Sequence, residues 1–230
     1  MHVLAVDTAL GACSAAVIAD GVVIGRTWEP MQRGHAERLA DLTRETLDLS
    51  GADFGRMDRL AVTVGPGTFT GLRVGLSFIR AMAVARAIPA VGVTTLTAIA
   101  AGARRENKSV SPIGVVIDAR RGQFYFQLFQ GDLTEITSPQ ILDAARAIDQ
   151  IVECEDAHGR LTLGGSGVEL LGKLPSRVET AGVVQPDATD VGLFASTVSN
   201  PLDHQPDPLY LRAPDAKAQT LSVFASRRMK

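Results

Sequence analysis

Residues Val64-Gly65-Pro66-Gly67-Thr68-Phe69-Thr70-Gly71-Leu72-Arg73-Val74-Gly75 constrain this chain more than any other stretch, because a strand signal, a glycine-rich turn and a long helix signal follow there without a break. Leu60-Ala61-Val62-Thr63-Val64 is a short, β-branched apolar run of the kind that forms a buried strand, and Gly65, Pro66 and Gly67 punctuate it. Beyond the turn, Thr68 or Thr70 is placed to cap a helix whose Leu72, Leu76, Ile79 and Ala83 recur on one face, with Val74, Phe78 and Ala81 widening the apolar surface. A strand–turn–helix of this form belongs to an α/β fold. Free backbone N–H groups at such a helix start suit an anion, while the plainer reading is packing.

Spacing removes two phosphate motifs. A Walker A loop requires G-x-x-x-x-G-K-[ST], whereas only three residues separate Gly67 from Gly71, and Leu72-Arg73 follows in place of the lysine. A dinucleotide fingerprint requires a third glycine where Thr70 stands. What remains is Gly71-x-x-x-Gly75 on one helix face, a pattern that lets another backbone element approach closely.

The N-terminal third reads as a β-meander and then a helix. Val3–Val6 ends at Asp7-Thr8, Ser14–Ala19 follows, and Asp20-Gly21 turns the chain into Val22–Trp28. The acid and hydroxyl at the first strand end fit either a phosphate-wrapping turn or ordinary turn chemistry. From Gly34 to Ser50 the period becomes helical, with His35, Leu39, Leu42, Thr46 and Leu49 on one side. A zinc helix would carry a second ligand one turn after His35, but Leu39 stands there and His2, His158 and His204 are scattered, so no metal site is expected. A strand at Ala90–Val93 and a helix from Thr95 to about Arg105 complete a first lobe.

The polar run Arg104–Ser109 marks a change of composition, after which the opening pattern repeats. Ile113–Ile117 is an apolar strand ending at Asp118-Ala119-Arg120-Arg121-Gly122, and Gln123–Phe129 is its hairpin partner. Helical material around Ile141–Val152, a strand at Arg160–Leu163, a Gly164-Gly165-Ser166-Gly167 turn and a helix from Asp187 to Ser199 follow. Prolines at 201, 206 and 208 precede Leu209-Tyr210-Leu211-Arg212. With 46% apolar and 21% charged residues in 230, the chain has ample material for a core, and a net charge of −2 argues against stable solitary binding to RNA. Two distant cysteines, no basic-then-apolar leader and no apolar run near the roughly 18 residues of a membrane span predict a cytoplasmic protein away from membranes.

Together, Ala5-Val6-Asp7-Thr8, Gly34–Leu39, Gly65–Gly75, Asp118–Gly122 and Tyr210-Leu211-Arg212 resemble the TsaB family of bacterial threonylcarbamoyladenosine biosynthesis proteins along nearly the whole chain. The resemblance implies a two-lobed actin/Hsp70/sugar-kinase-like, ribonuclease H-like α/β fold with a mixed sheet and helices in each lobe. The first lobe is expected at 1–104, completed by 205–230, and the second, reduced one at 105–204. The resemblance further implies that Asp7, Thr8 and Asp118 face phosphate loops at the cleft. The family's catalytic relative TsaD carries an H-x-x-x-H metal pair, for which this chain has only His35.

The expectation is therefore a non-catalytic partner of TsaD, bound directly to it and through the complex to the ATPase TsaE. Its role would be to support transfer of threonylcarbamoyl to the adenosine beside the anticodon of tRNAs reading codons that begin with A. No metal and no cofactor of its own are expected: ATP or ADP and tRNA would be met only in the complex. The two helices should form the partner face, through His35, Leu39, Leu42, Thr46, Gly71, Gly75, Phe78 and Met82, and a homodimer would use the same helices. A stand-alone ATP-hydrolysing or sugar-kinase-like enzyme, motivated by Asp7 and Asp118, is the alternative, and a peptidase is a remote one, since no Ser/His/Asp constellation can be assigned.

Overall fold

The computed structural model describes residues 1–108, 110–199 and 205–212. Two five-stranded mixed sheets repeat one topology. The first has the order β3-β2-β1-β4-β5, from strands β1 (His2–Asp7), β2 (Ala12–Ala19), β3 (Val22–Pro30), β4 (Arg59–Gly65) and β5 (Ala90–Thr94). The second has the order β8-β7-β6-β9-β10, from β6 (Ile113–Asp118), β7 (Gln123–Phe129), β8 (Gln140–Asp143), β9 (Leu161–Gly164) and β10 (Val178–Thr180). In each sheet the first three strands in sequence form an antiparallel meander and the last two run parallel to its first strand.

Helix α1 (His35–Ser50) and helix α2 (Phe69–Arg86) cover one face of the first sheet. Glycine in the left-handed region brackets α1 at both ends, Gly34 at φ 89° and Gly51 at φ 63°, where a side chain would be strained. Leu39 and Leu42 reach Leu4, Val17 and Leu60 beneath the helix, and burying each contributes about 2–3 kcal/mol. Thr68 caps α2, its side chain accepting from Gly71 N at 3.2 Å.

Helix α3 (Thr95–Asn107) lies between the lobes. Ala98 packs with the first sheet, while Leu96, Ile99 and Ala103 pack on Ile113, Val115, Ile117 and Phe129 of the second. Helix α4 (Ala144–His158) covers the far face of the second sheet through Ala147, Ile151 and Cys154. The sequence expectation of helix around Ile141–Val152 is corrected at its start: Ile141 and Leu142 pair with β7, and Asp143, accepting from Arg146 N at 2.9 Å, caps α4.

The lobe boundary also differs from expectation. Helix α5 (Ala188–Thr197), expected within the second lobe at 105–204, lies on the first sheet, with Ala188, Val191 and Ala195 against Val3, Ala5, Ala16 and Ile18. The contact is close because Gly192 has no side chain: a Cβ there would stand 2.7 Å from Ile18 Cγ1. Ala188 N donates to Ser14 Oγ at 3.0 Å, and the buried Arg59 guanidinium donates to the carbonyls of Ala195 and, at 2.8 Å, Val198. Residues 205–212 lie along β4 and α2, and the remainder of the segment expected to complete the first lobe, 213–230, falls outside the described residues. Among the described residues no helix is long and apolar enough to cross a membrane.

Candidate functional site: an interlobe cleft and a helix-pair groove

The end of β1 is sealed rather than open to the cleft. Asp7 is 1% exposed, and its Oδ1 accepts from Thr63 Oγ1 at 2.6 Å and from Ala9 N at 3.1 Å. Burial pushes its carboxyl up to about 7, against the opposing pull of those two bonds. Thr8 donates from Oγ1 to Gly71 O at 2.7 Å. The glycines of α2 make this possible. A Cβ on Gly71 would stand 2.1 Å from Thr8 O, and one on Gly75 would stand 2.6 Å from Thr8 Oγ1. Thr68 N meanwhile donates to Ala9 O at 2.8 Å. The Gly71-x-x-x-Gly75 pattern thus serves close packing of α2 on the β1–β2 turn, and the amides of Thr68 and Gly71 already have protein acceptors. The expected cleft-facing role of Asp7 and Thr8 is corrected accordingly: neither lines the cleft, because the start of α2 covers Thr8 and Asp7 is buried against Thr63 on the sheet's other face.

Asp118, by contrast, stands exposed at the end of β6 and does line the cleft. Its Oδ1 accepts from Arg120 N at 2.7 Å, and its own N–H donates to Ser166 Oγ at 3.3 Å. Arg120 and Arg121 both lie in the left-handed region, at φ 63° and 58°, to close the β6–β7 hairpin. The cleft encloses about 830 Å³ between this hairpin and the Gly11 and Gly67 turns of the first lobe. Three features of its lining were not legible in the sequence. Gln32 and Gln185 stand over Gly11, whose Cβ would lie 3.1 Å and 3.0 Å from their amides, and Leu209–Arg212 close the remaining side. All come from segments remote in sequence: no local pattern marks the two glutamines, and Tyr210-Leu211-Arg212 was marked by resemblance but not as a cleft wall.

The expected partner face divides in two. His35, Leu39, Leu42 and Thr46 are buried beneath α1; Leu39 and Leu42 are 1% and 0% exposed. Thr46 shares a hydroxyl contact of 2.5 Å with Thr27 of β3. Gly71 and Gly75 are buried against Thr8, so these six residues belong to the internal packing and are corrected as surface positions. Phe78 and Met82 are only partly covered, at the margin of the core. Phe78 lines a mainly apolar groove between the helices with Ala36, Phe69, Thr70, Arg73, Val74 and Ser77. The Arg73 guanidinium stacks over the Phe69 ring at 3.7 Å. Helical phase could have found this set, since residues 70, 74, 77 and 78 lie opposite Leu72, Leu76 and Ile79. Among the described residues no three His, Cys, Asp or Glu side chains stand together as metal ligands.

Residues 25–164 match the family model of TsaD, tRNA N6-adenosine threonylcarbamoyltransferase. The tRNA threonylcarbamoyladenosine biosynthesis protein TsaB of Escherichia coli strain K12 is 32% identical over 222 residues, covering 92% of this chain and 95% of the relative. The solved structure of YeaZ from Pseudomonas aeruginosa superposes with a TM-score of 0.74 at 28% identity, covering 85% and 90% of the two chains. The ROK hexokinase of Thermus thermophilus superposes at 0.51 with 12% identity over 85% and 98%, a likeness of fold alone that marks the actin/Hsp70/sugar-kinase architecture.

Proposed function

The chain belongs to the TsaB/YeaZ family of threonylcarbamoyladenosine biosynthesis on tRNA, and on that premise we propose that it acts there as the non-catalytic partner and activator of TsaD. The observation that carries this reading is the sealed end of β1. A carboxylate that holds a metal–phosphate group or orients water must be accessible to the bound ligand. Here Asp7 is buried and turned onto Thr63, on the face of the sheet that α5 covers. The volume of the cleft alone would admit a small ligand, and Asp118 is the carboxylate that lines it among the described residues, where one such group supplies neither an acid–base pair nor a metal cradle.

The groove between α1 and α2 supports the second half of the proposal. An apolar trough lined by Ala36, Phe69, Val74 and Phe78, with Arg73 at its side, suits an amphipathic helix of a partner protein. TsaD is that partner; a second copy of this chain occupies the groove in its absence. TsaE, tRNA and ATP or ADP meet this chain only within the assembly. Co-purification with TsaD, followed by tRNA modification with and without this chain, tests the proposal. The expected result is a stable complex and modification that requires both proteins. ATP turnover by the isolated chain, abolished by Asp7→Ala, would overturn it.

A further inference from the structure

Tyr210-Leu211-Arg212 belong to a segment that crosses from one lobe to the other. At its start, Arg80 of α2 donates from Nε to Pro206 O at 3.0 Å and from Nη2 to Asp207 Oδ1 at 2.6 Å. In the middle, Leu209 N donates to Val64 O at 2.7 Å, and the Tyr210 ring lies 5.9 Å from that of Phe69. At its far end, Arg212 donates from Nη1 to Ala119 O at 2.9 Å and from Nη2 to Gln123 Oε1 at 2.6 Å, both in the β6–β7 hairpin of the second lobe. The first lobe is notched to receive the segment. A Cβ on Gly65 would stand 2.8 Å from Leu209 O, and one on Gly92 would stand 3.0 Å from Pro206 Cβ.

Phe69 joins this segment to the helix-pair groove. Its ring lines the groove with Ala36 and Phe78 and lines the cleft with Leu209 and Tyr210, and it carries the Arg73 guanidinium. The hairpin is thus tied to Arg212 by hydrogen bonds, and two residues back along the backbone the Tyr210 ring meets Phe69 at the rim of the groove. We propose that Pro206–Arg212 is a coupling strap, which holds the β6–β7 hairpin at a set distance from the first turn of α2 so that widening of the cleft and reshaping of the groove occur together. Only the consequence for TsaD rests on the function proposed above; the coupling itself is a property of the isolated chain.

Hydrogen exchange read by mass spectrometry on the full chain tests it. Arg212→Ala removes the two hydrogen bonds that join the strap to the hairpin and leaves its bonds to the first lobe in place. Exchange should rise about fivefold or more both in the hairpin, 119–123, and in the first turn of α2, 69–73, with Arg212→Lys restoring part of the protection. Faster exchange in the hairpin alone, or in neither segment, would overturn the coupling. Should Arg212→Ala loosen the whole chain, Gln123→Ala removes a bond from the hairpin side and is decided by the same pair of segments. With TsaD added, binding should slow exchange in the groove and in the hairpin of the unaltered chain, but in the groove alone for Arg212→Ala. Slowing of the hairpin in Arg212→Ala as well would also overturn the coupling, whereas absence of TsaD binding would refute the partner proposal and leave the isolated-chain result standing.

Discussion

Burial, not a partner charge, sets the chemistry of Asp7. Its carboxyl is raised from 3.8 to about 7, so between those values the folded chain holds a proton that the unfolded chain has released. By linkage, stability falls as pH rises through that window, and the whole penalty, at most roughly 4 kcal/mol, is present above pH 7. Asp7→Asn, which keeps an acceptor for Thr63, should therefore stabilise the protein at pH 8 and leave it nearly unchanged at pH 4, as urea denaturation at the two pH values would reveal. An Asn variant no more stable at pH 8 than at pH 4, relative to the parent, would contradict the assignment. Gly75 offers a second test at this scale. Gly75→Ala drives a methyl against Thr8 Oγ1 and should cost about 1–3 kcal/mol. Thr8→Ala removes that oxygen, so the double variant should lose clearly less than the sum of the two single changes.

The pair α1 and α2 shows what periodicity can and cannot tell. The stripe of Leu39, Leu42 and Thr46 was legible, as was the apolar girth of α2, yet which stripe faces the sheet is decided by the neighbouring strands. The sheet takes Leu39 and Leu42 from α1 and Leu72, Leu76 and Ile79 from α2, leaving Val74 and Phe78 over. A charge therefore separates the two faces. Leu39→Glu buries an unpaired carboxylate and should destabilise by about 3–5 kcal/mol or prevent folding. Phe78→Glu should keep its melting temperature within a few degrees and lose TsaD in co-purification. Strand β8 escaped notice because Ala144-Ala145-Arg146-Ala147 extends a helical pattern backwards over it. The cap at Asp143 marks the true start of α4 by a local bond to Arg146 N, whereas the pairing of Ile141 and Leu142 with β7 is a contact that no local pattern announces.

Across the whole molecule, the repeat of strand, terminal acid, turn and strand at Asp7 and Asp118 announced the duplicated sheets, and the structure gives both sheets one strand order. Their turns have diverged: one acid is sealed and the other exposed. The net charge of −2 belongs to this scale too. Binding of tRNA by the isolated chain should be weak and should fall with salt between about 50 and 200 mM in a filter-binding titration, with the shallow slope expected of few phosphate contacts. The placement of α5 was not legible, since a helix following the second lobe in sequence gives no local sign that it rests on the first. That placement governs the order of events during synthesis. The floor of the first sheet, Val3, Ala5, Ala16 and Ile18, remains without its cover until residues 188–197 have left the ribosome, so the lobe begun first is closed last. A chain stopped at residue 108 should bind a hydrophobic dye and melt without a cooperative transition, and a nascent chain of that length should lean on a chaperone until the last helix arrives.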